Sequence, residues 1–173
     1  GHNGYQNPRP STYVPPSTGA NGEPLWQPTF PDYTPALFPY WGQVRPFAMR
    51  STDIIARPPL PYSEDPSSLF YQQAQEVRGI VNLANFSTQW VAEFWSDDIF
   101  QLTFEPAGRQ IAIANILVEQ EEPSLDVALE MYAKMGMALC DVGIAVWNSK
   151  YIYNVRRPIE YIRENMEPGW QTI

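Results

Sequence analysis

The sequence predicts an all-α body preceded by an extended, proline- and aromatic-rich N-terminal wrap, and three observations lead there. First, 14 of the 18 prolines fall within residues 1–66, and each removes a backbone donor and pushes the preceding residue toward extended geometry. Long helices are excluded from that stretch. Second, the same stretch carries Trp26, Phe30, Tyr33, Phe38, Tyr40, Trp41 and Phe47, an aromatic load that a solvated linker lacks. A strap packed across something apolar is expected, in preference to a PxxP recognition tail. Third, after Pro66 the apolar residues recur at three- and four-residue steps, the period of a helix. The expected division is an irregular wrap over 1–66 and a helical part over 67–173.

The helices follow in order. Ser67 or Ser68 can cap a helix beginning near Leu69, with Phe70, Ala74, Val77, Val81 and Ala84 on its apolar line. The stretch Asn85-Phe86-Ser87-Thr88 interrupts it, and Ser87 or Thr88 is the expected cap of a short second helix through Trp90, Val91, Phe94 and Trp95. A loop with Pro106 and Gly108 then opens RQIAIANILVEQ, apolar nearly all round and so expected to be a buried helix. Its end, Glu119 to Glu122, reads as a solvated terminus. Pro123-Ser124 starts the longest periodic stretch, which Pro158 stops.

Composition narrows the function. A chain of 173 residues is one domain of ordinary size. With 11 basic against 19 acidic residues the net charge is −8, which argues against nucleic acid or an anionic membrane as partner. Cys140 is the single cysteine and His2 the single histidine, so neither an intrachain disulfide nor a Cys/His zinc site can form. No apolar run approaches the roughly 20 residues of a membrane span, and the start GHNGYQNPRP has no secretion-signal layout. A soluble, mature or trimmed chain is expected, with secreted and periplasmic locations both open.

One stripe of the long helix reads Leu125, Leu129, Tyr132, Gly136, Leu139, Gly143, Val146, Lys150. Its two glycines cost about 1 kcal/mol each in helix propensity and suggest a close-packed neighbour. The same step reaches Arg157, about 10 Å further along a helix axis. Two long cations on one side suit an oxyanion lying between them. Buried without a counter-charge, each would cost several kcal/mol. Spacing alone leaves a second reading open, in which Lys150 reaches solvent and Arg157 pairs with Glu160 or Glu164.

The segment Trp147-Asn148-Ser149-Lys150-Tyr151-Ile152-Tyr153-Asn154-Val155-Arg156-Arg157-Pro158 resembles the W-x-x-K-x(6)-R-P signature of vanadium-dependent haloperoxidases and the related PAP2-type acid phosphatases. Upstream, Trp26-Gln27-Pro28-Thr29, the string WGQVRPF from Trp41, Glu93-Phe94-Trp95 and Pro106-Ala107-Gly108-Arg109 follow the order of the haloperoxidase-like branch. The resemblance implies a helical bundle of the vanadium haloperoxidase type. It also implies that Lys150 and Arg157 hold the equatorial oxygens of vanadate or phosphate, with Lys150 acting on bound peroxide. Trp147 matches an aromatic of the family pocket, although a tryptophan at helical spacing is by default core. Arg156 falls at a variable position of the signature and is expected at the surface or behind the site.

The family signature has two further blocks, P-S-G-H and S-R-x(5)-H, and neither occurs in this sequence. They carry the histidine that bonds vanadium and the acid/base histidine, so no metal ligand is expected in this chain. The expected partner is a complementary C-terminal polypeptide bearing both blocks, docked on a large apolar face. Completed in that way, the resemblance implies oxidation of halide by hydrogen peroxide to hypohalous acid. The alternatives are a soluble PAP2-type acid phosphatase with a histidine nucleophile from the other segment, and a non-catalytic helical subunit of the same fold. Halide preference and homo-oligomer formation stay open.

Overall fold

The computed structural model describes residues 12–30, 32–96 and 105–172, and its helices begin and end where capping chemistry directs. Helix α1 (Leu69–Asn82) starts at Ser68, whose hydroxyl accepts from the Tyr71 N–H at 3.2 Å. Helix α2 (Phe86–Trp95) is capped by Asn85, not by Ser87 or Thr88, because the Asn85 amide oxygen reaches the Thr88 N–H at 3.1 Å. Helix α3 (Pro106–Glu121) begins directly at Pro106. Proline suits that first position, where the missing N–H would have no partner, so the expected loop contributes the first turn of the helix instead. Helix α4 (Leu125–Tyr153) runs for 29 residues, and α5 (Pro158–Asn165) again opens on a proline. Among the described residues there is no strand, only an isolated bridge between Thr18 and Pro24. The protein is all-α.

Two packed regions hold it together. In the first, Ala74 of α1 meets Tyr161 and Ile162 of α5 and Trp170 from the segment after it, with Tyr62 and Phe70 against them. The Tyr161 ring meets Phe70 and Tyr62 edge-on, at centroid distances of 5.0 and 5.6 Å. Its hydroxyl donates to the Ser63 carbonyl at 2.6 Å, so this buried phenol is paired, whereas the indole N–H of Trp170 in the same cluster finds no partner among the described residues.

In the second region the wrap lies along α4. Proline-rich backbone cannot pair with itself in a ladder, so its N–H and C=O groups need other partners. One face of α4 supplies them. The buried Asp141 carboxylate accepts from the N–H groups of Phe47, Ala48 and Met49 at 2.6, 2.8 and 2.8 Å. Ser149 accepts from the Ala56 N–H at 2.8 Å, Asn148 donates to the Ile54 carbonyl at 2.9 Å, and Tyr153 donates to the Ala56 carbonyl at 2.6 Å. Burial opposes ionisation of Asp141, but the three N–H groups prevail and hold its pKa below the ordinary aspartate value.

Backbone also comes close to backbone here. A Cβ on Gly42 would lie 2.6 Å from the Asn148 Cα, and one on Gly143 would lie 2.9 Å from the Trp41 ring. Gly136, expected to admit a neighbour, faces open space among the described residues. The stripe running from Leu125 to Val146 is largely uncovered, with Leu125 75% and Leu129 60% exposed. The buried residues of α4 are Asp141, Ile144 and Ser149, a polar-apolar mixture chosen by the strap's hydrogen-bonding needs. Helix α3 forms as expected but is not buried: only Ala114 is, whereas Ile111, Ile113, Ile116 and Leu117 face outward.

Candidate functional site

The site begins where α4 ends. Asn154 turns into the left-handed region at φ 43°, closing the helix by donating its N–H to the Lys150 carbonyl at 2.9 Å. An asparagine tolerates that conformation better than most residues. The bend is fixed from three directions. The buried Asn154 amide oxygen accepts from the Tyr13 hydroxyl at 3.2 Å, its amide nitrogen donates to the Tyr151 carbonyl, and its backbone carbonyl accepts from the Trp26 N–H at 2.8 Å.

Arg157 therefore does not continue the α4 axis. It is the extended residue that precedes α5, at φ −71° and ψ 147°, as the proline after it requires. The bend, not helical periodicity, brings it to Lys150. Both line one open cavity of roughly 330 Å³ together with Trp26, Tyr151 and Asn154, and among the described residues none that lines it carries a carboxylate.

Aromatic rings surround the two cations. The Lys150 ammonium lies 5.4 Å from the Trp147 ring centre and 5.9 Å from that of Tyr151. The Arg157 guanidinium lies 5.7 Å from the Trp26 ring centre and donates through Nη1 to the Thr29 hydroxyl at 3.1 Å. Partial burial lowers the Lys150 pKa below the ordinary lysine value, and the positive charge of Arg157 lowers it further. Burial, then the neighbouring Tyr13, pushes the Tyr151 phenol up to about 12, which keeps it a neutral donor to the Leu37 carbonyl. The indole N–H of Trp26 is buried with no hydrogen-bond partner among the described residues.

The residues expected from sequence are distributed as follows. Lys150 and Arg157 are brought together. Trp147 stands beside Lys150 but outside the cavity wall: its indole N–H donates to the Leu37 carbonyl at 2.7 Å, and its ring packs against Phe38 and Trp41. Arg156, not Arg157, pairs with Glu164, and its side chain is only 11% exposed. Burial raises the pKa of Glu160 against the opposing pull of Arg156. His2 lies outside the described residues. Among the described residues no three His, Cys, Asp or Glu side chains gather as a metal site. No helix among them is long and apolar enough to cross a membrane.

Sequence reasoning missed Thr29, the lining role of Trp26 and the turn at Asn154. Their only signal was membership of the WQPT string and of the break before Pro158.

Comparison with known proteins adds a family and a fold. The model of the VCPO second helical-bundle domain matches residues 130–171, a stretch containing both cations. Among solved structures, the crystal structure of a bacterial vanadium-dependent iodoperoxidase, the first of its kind, superposes with a TM-score of 0.77 at 28% sequence identity. The match covers 85% of this chain and 38% of that chain, so this chain spans well under half of that protein's length. No curated protein gives a significant match.

Proposed function

We propose that this chain, which belongs by fold and sequence to the N-terminal part of the vanadium haloperoxidase superfamily, supplies the cationic half of a vanadate site that oxidises halide with hydrogen peroxide. The other half comes from a segment carrying the P-S-G-H and S-R-x(5)-H blocks. One observation carries the reading: two cations line one cavity that offers them no carboxylate among the described residues, and partial burial, then the charge of Arg157, depresses the Lys150 pKa. Like charges held together in a partly desolvated place are stabilised by an anionic guest. The donor set fits a tetrahedral or trigonal-bipyramidal oxyanion, since ammonium and guanidinium both donate to oxygen.

When bound, vanadate supplies a Lewis-acidic centre that activates hydrogen peroxide toward halide. Lys150 and Arg157 bind its oxygens and neutralise their charge. The Asn154 bend and the strap fix both cations before the guest arrives, so little reorganisation is needed during reaction. Trp147 and Tyr151 set aromatic faces beside the Lys150 ammonium, which favours its charged form.

The test is peroxide-dependent oxidation of iodide and bromide by the protein in its natural full length, with and without orthovanadate, beside hydrolysis of a generic phosphate ester. Iodide is included because the similar solved structure is an iodoperoxidase. Vanadate-dependent oxidation that is lost in Lys150→Ala, with the fold retained, is the expected result. Arg157→Ala should weaken vanadate binding by about 1 kcal/mol or more, the worth of a charge-assisted hydrogen bond. Ester hydrolysis without halide oxidation would assign a phosphatase. Absence of both would leave a non-catalytic subunit.

A further inference from the structure

Arg157 is held from the wrap, not from the helices. Its guanidinium lies over the Trp26 ring, 5.7 Å from the ring centre, and donates to the Thr29 hydroxyl, and these two residues sit three apart on the same extended segment. Trp26 is itself anchored: it is 7% exposed, its ring meets Tyr151 edge-on at 6.4 Å, and its backbone N–H is bonded to the Asn154 carbonyl. That carbonyl belongs to the bend from which Arg157 emerges three residues later. The seat and the arginine are thus parts of one locked unit.

We propose that Trp26 and Thr29 are positioning residues of the oxyanion site, a tryptophan-threonine seat on the wrap that orients the Arg157 guanidinium toward the cavity it shares with Lys150. The inference rests on the oxyanion reading above. A guanidinium has five N–H donors in one plane. The Trp26 face restrains the position of the guanidinium and Thr29 takes one donor, so the remaining edges are directed and lose little side-chain entropy on meeting an anion. Without the seat, the exposed arginine would sample many rotamers, and affinity would fall although no contact to the anion itself had been removed.

The experiment uses the full-length protein labelled with nitrogen-15 arginine, and orthovanadate as the probe. Two quantities are read in parallel: the exchange rate of the Arg157 guanidinium protons with water, and the vanadate dissociation constant. In Thr29→Val, nearly isosteric, and in Trp26→Leu, exchange should accelerate and vanadate should bind about tenfold more weakly, the worth of a hydrogen bond to a charged group. Thr29→Ser should restore both. Because Trp26→Leu can disturb the fold, Thr29→Val and its serine rescue are the deciding pair. Exchange and affinity both unchanged in Thr29→Val would overturn the seat. If the unsubstituted protein binds no vanadate yet the substitutions accelerate exchange, the seat stands and the oxyanion reading falls.

Discussion

At the scale of single residues, Lys150 and Asp141 show environment setting charge in opposite directions. Lys150 has its pKa lowered by burial and by Arg157, so an anionic guest that favours the ammonium must raise it again. Binding then takes up a proton near the free-state pKa, and affinity falls as pH rises through that depressed value. Titration calorimetry with sulfate, whose own charge is constant there, should show this decline, and Lys150→Arg should flatten it. Asp141 has its pKa lowered by the N–H groups of Phe47, Ala48 and Met49. It contributes stability above the ordinary aspartate range, and that contribution disappears as pH falls through the lowered folded-state pKa. Thermal melts from about pH 6 down to about pH 2 should show the loss. Asp141→Asn should lower the melting temperature at neutral pH and remove much of this acid-side slope, since an amide offers one acceptor oxygen in place of two.

At the scale of elements, the strap and α4 depend on close approach. Gly42→Ala would force a methyl group to within 2.6 Å of the Asn148 Cα. Overpacking of this kind costs about 1–3 kcal/mol, and a denaturant midpoint shifted down by that amount is expected. Much of this scale was legible in the sequence. The start of α1 near Leu69, the stop at Pro158 and the extended character of the wrap follow from hydroxyl caps and proline chemistry. The cap of α2 and the true buried face of α4 did not follow. Asn85 competed with two hydroxyl residues nearby, and hydropathy cannot reveal a helix face selected to satisfy another segment's main chain. The pair Lys150 and Arg157 was readable from the signature, but its geometry was not, because an αL turn at Asn154 replaces the helical rise assumed between them.

At the scale of the whole molecule, apolar residues on α2, α3 and the first half of α4 stay uncovered, among them Phe86 at 82%, Trp95 at 68% and Leu125 at 75% exposure. Large apolar side chains left exposed in this number on neighbouring helices point to a surface that another element covers. Expressed as these 173 residues alone, the protein should self-associate and bind hydrophobic dye. In its natural full length, amides of α3 should exchange more slowly than in the isolated chain, and equal exchange in the two forms would contradict a covering segment.

The grip on the strap between Phe47 and Ala56 also bears on how this protein can vary. Helix α4 holds that stretch by its peptide groups, through Asp141, Asn148, Ser149 and Tyr153, while the side chains of Phe47, Ala48 and Ile55 point largely to the outside. A tether that recognises the main chain is indifferent to the letters it carries. Mutational drift can therefore rewrite this stretch while the anchoring helix keeps its polar face, and proline, which has no N–H to offer, is the substitution that positions 47, 48, 49 and 56 would refuse.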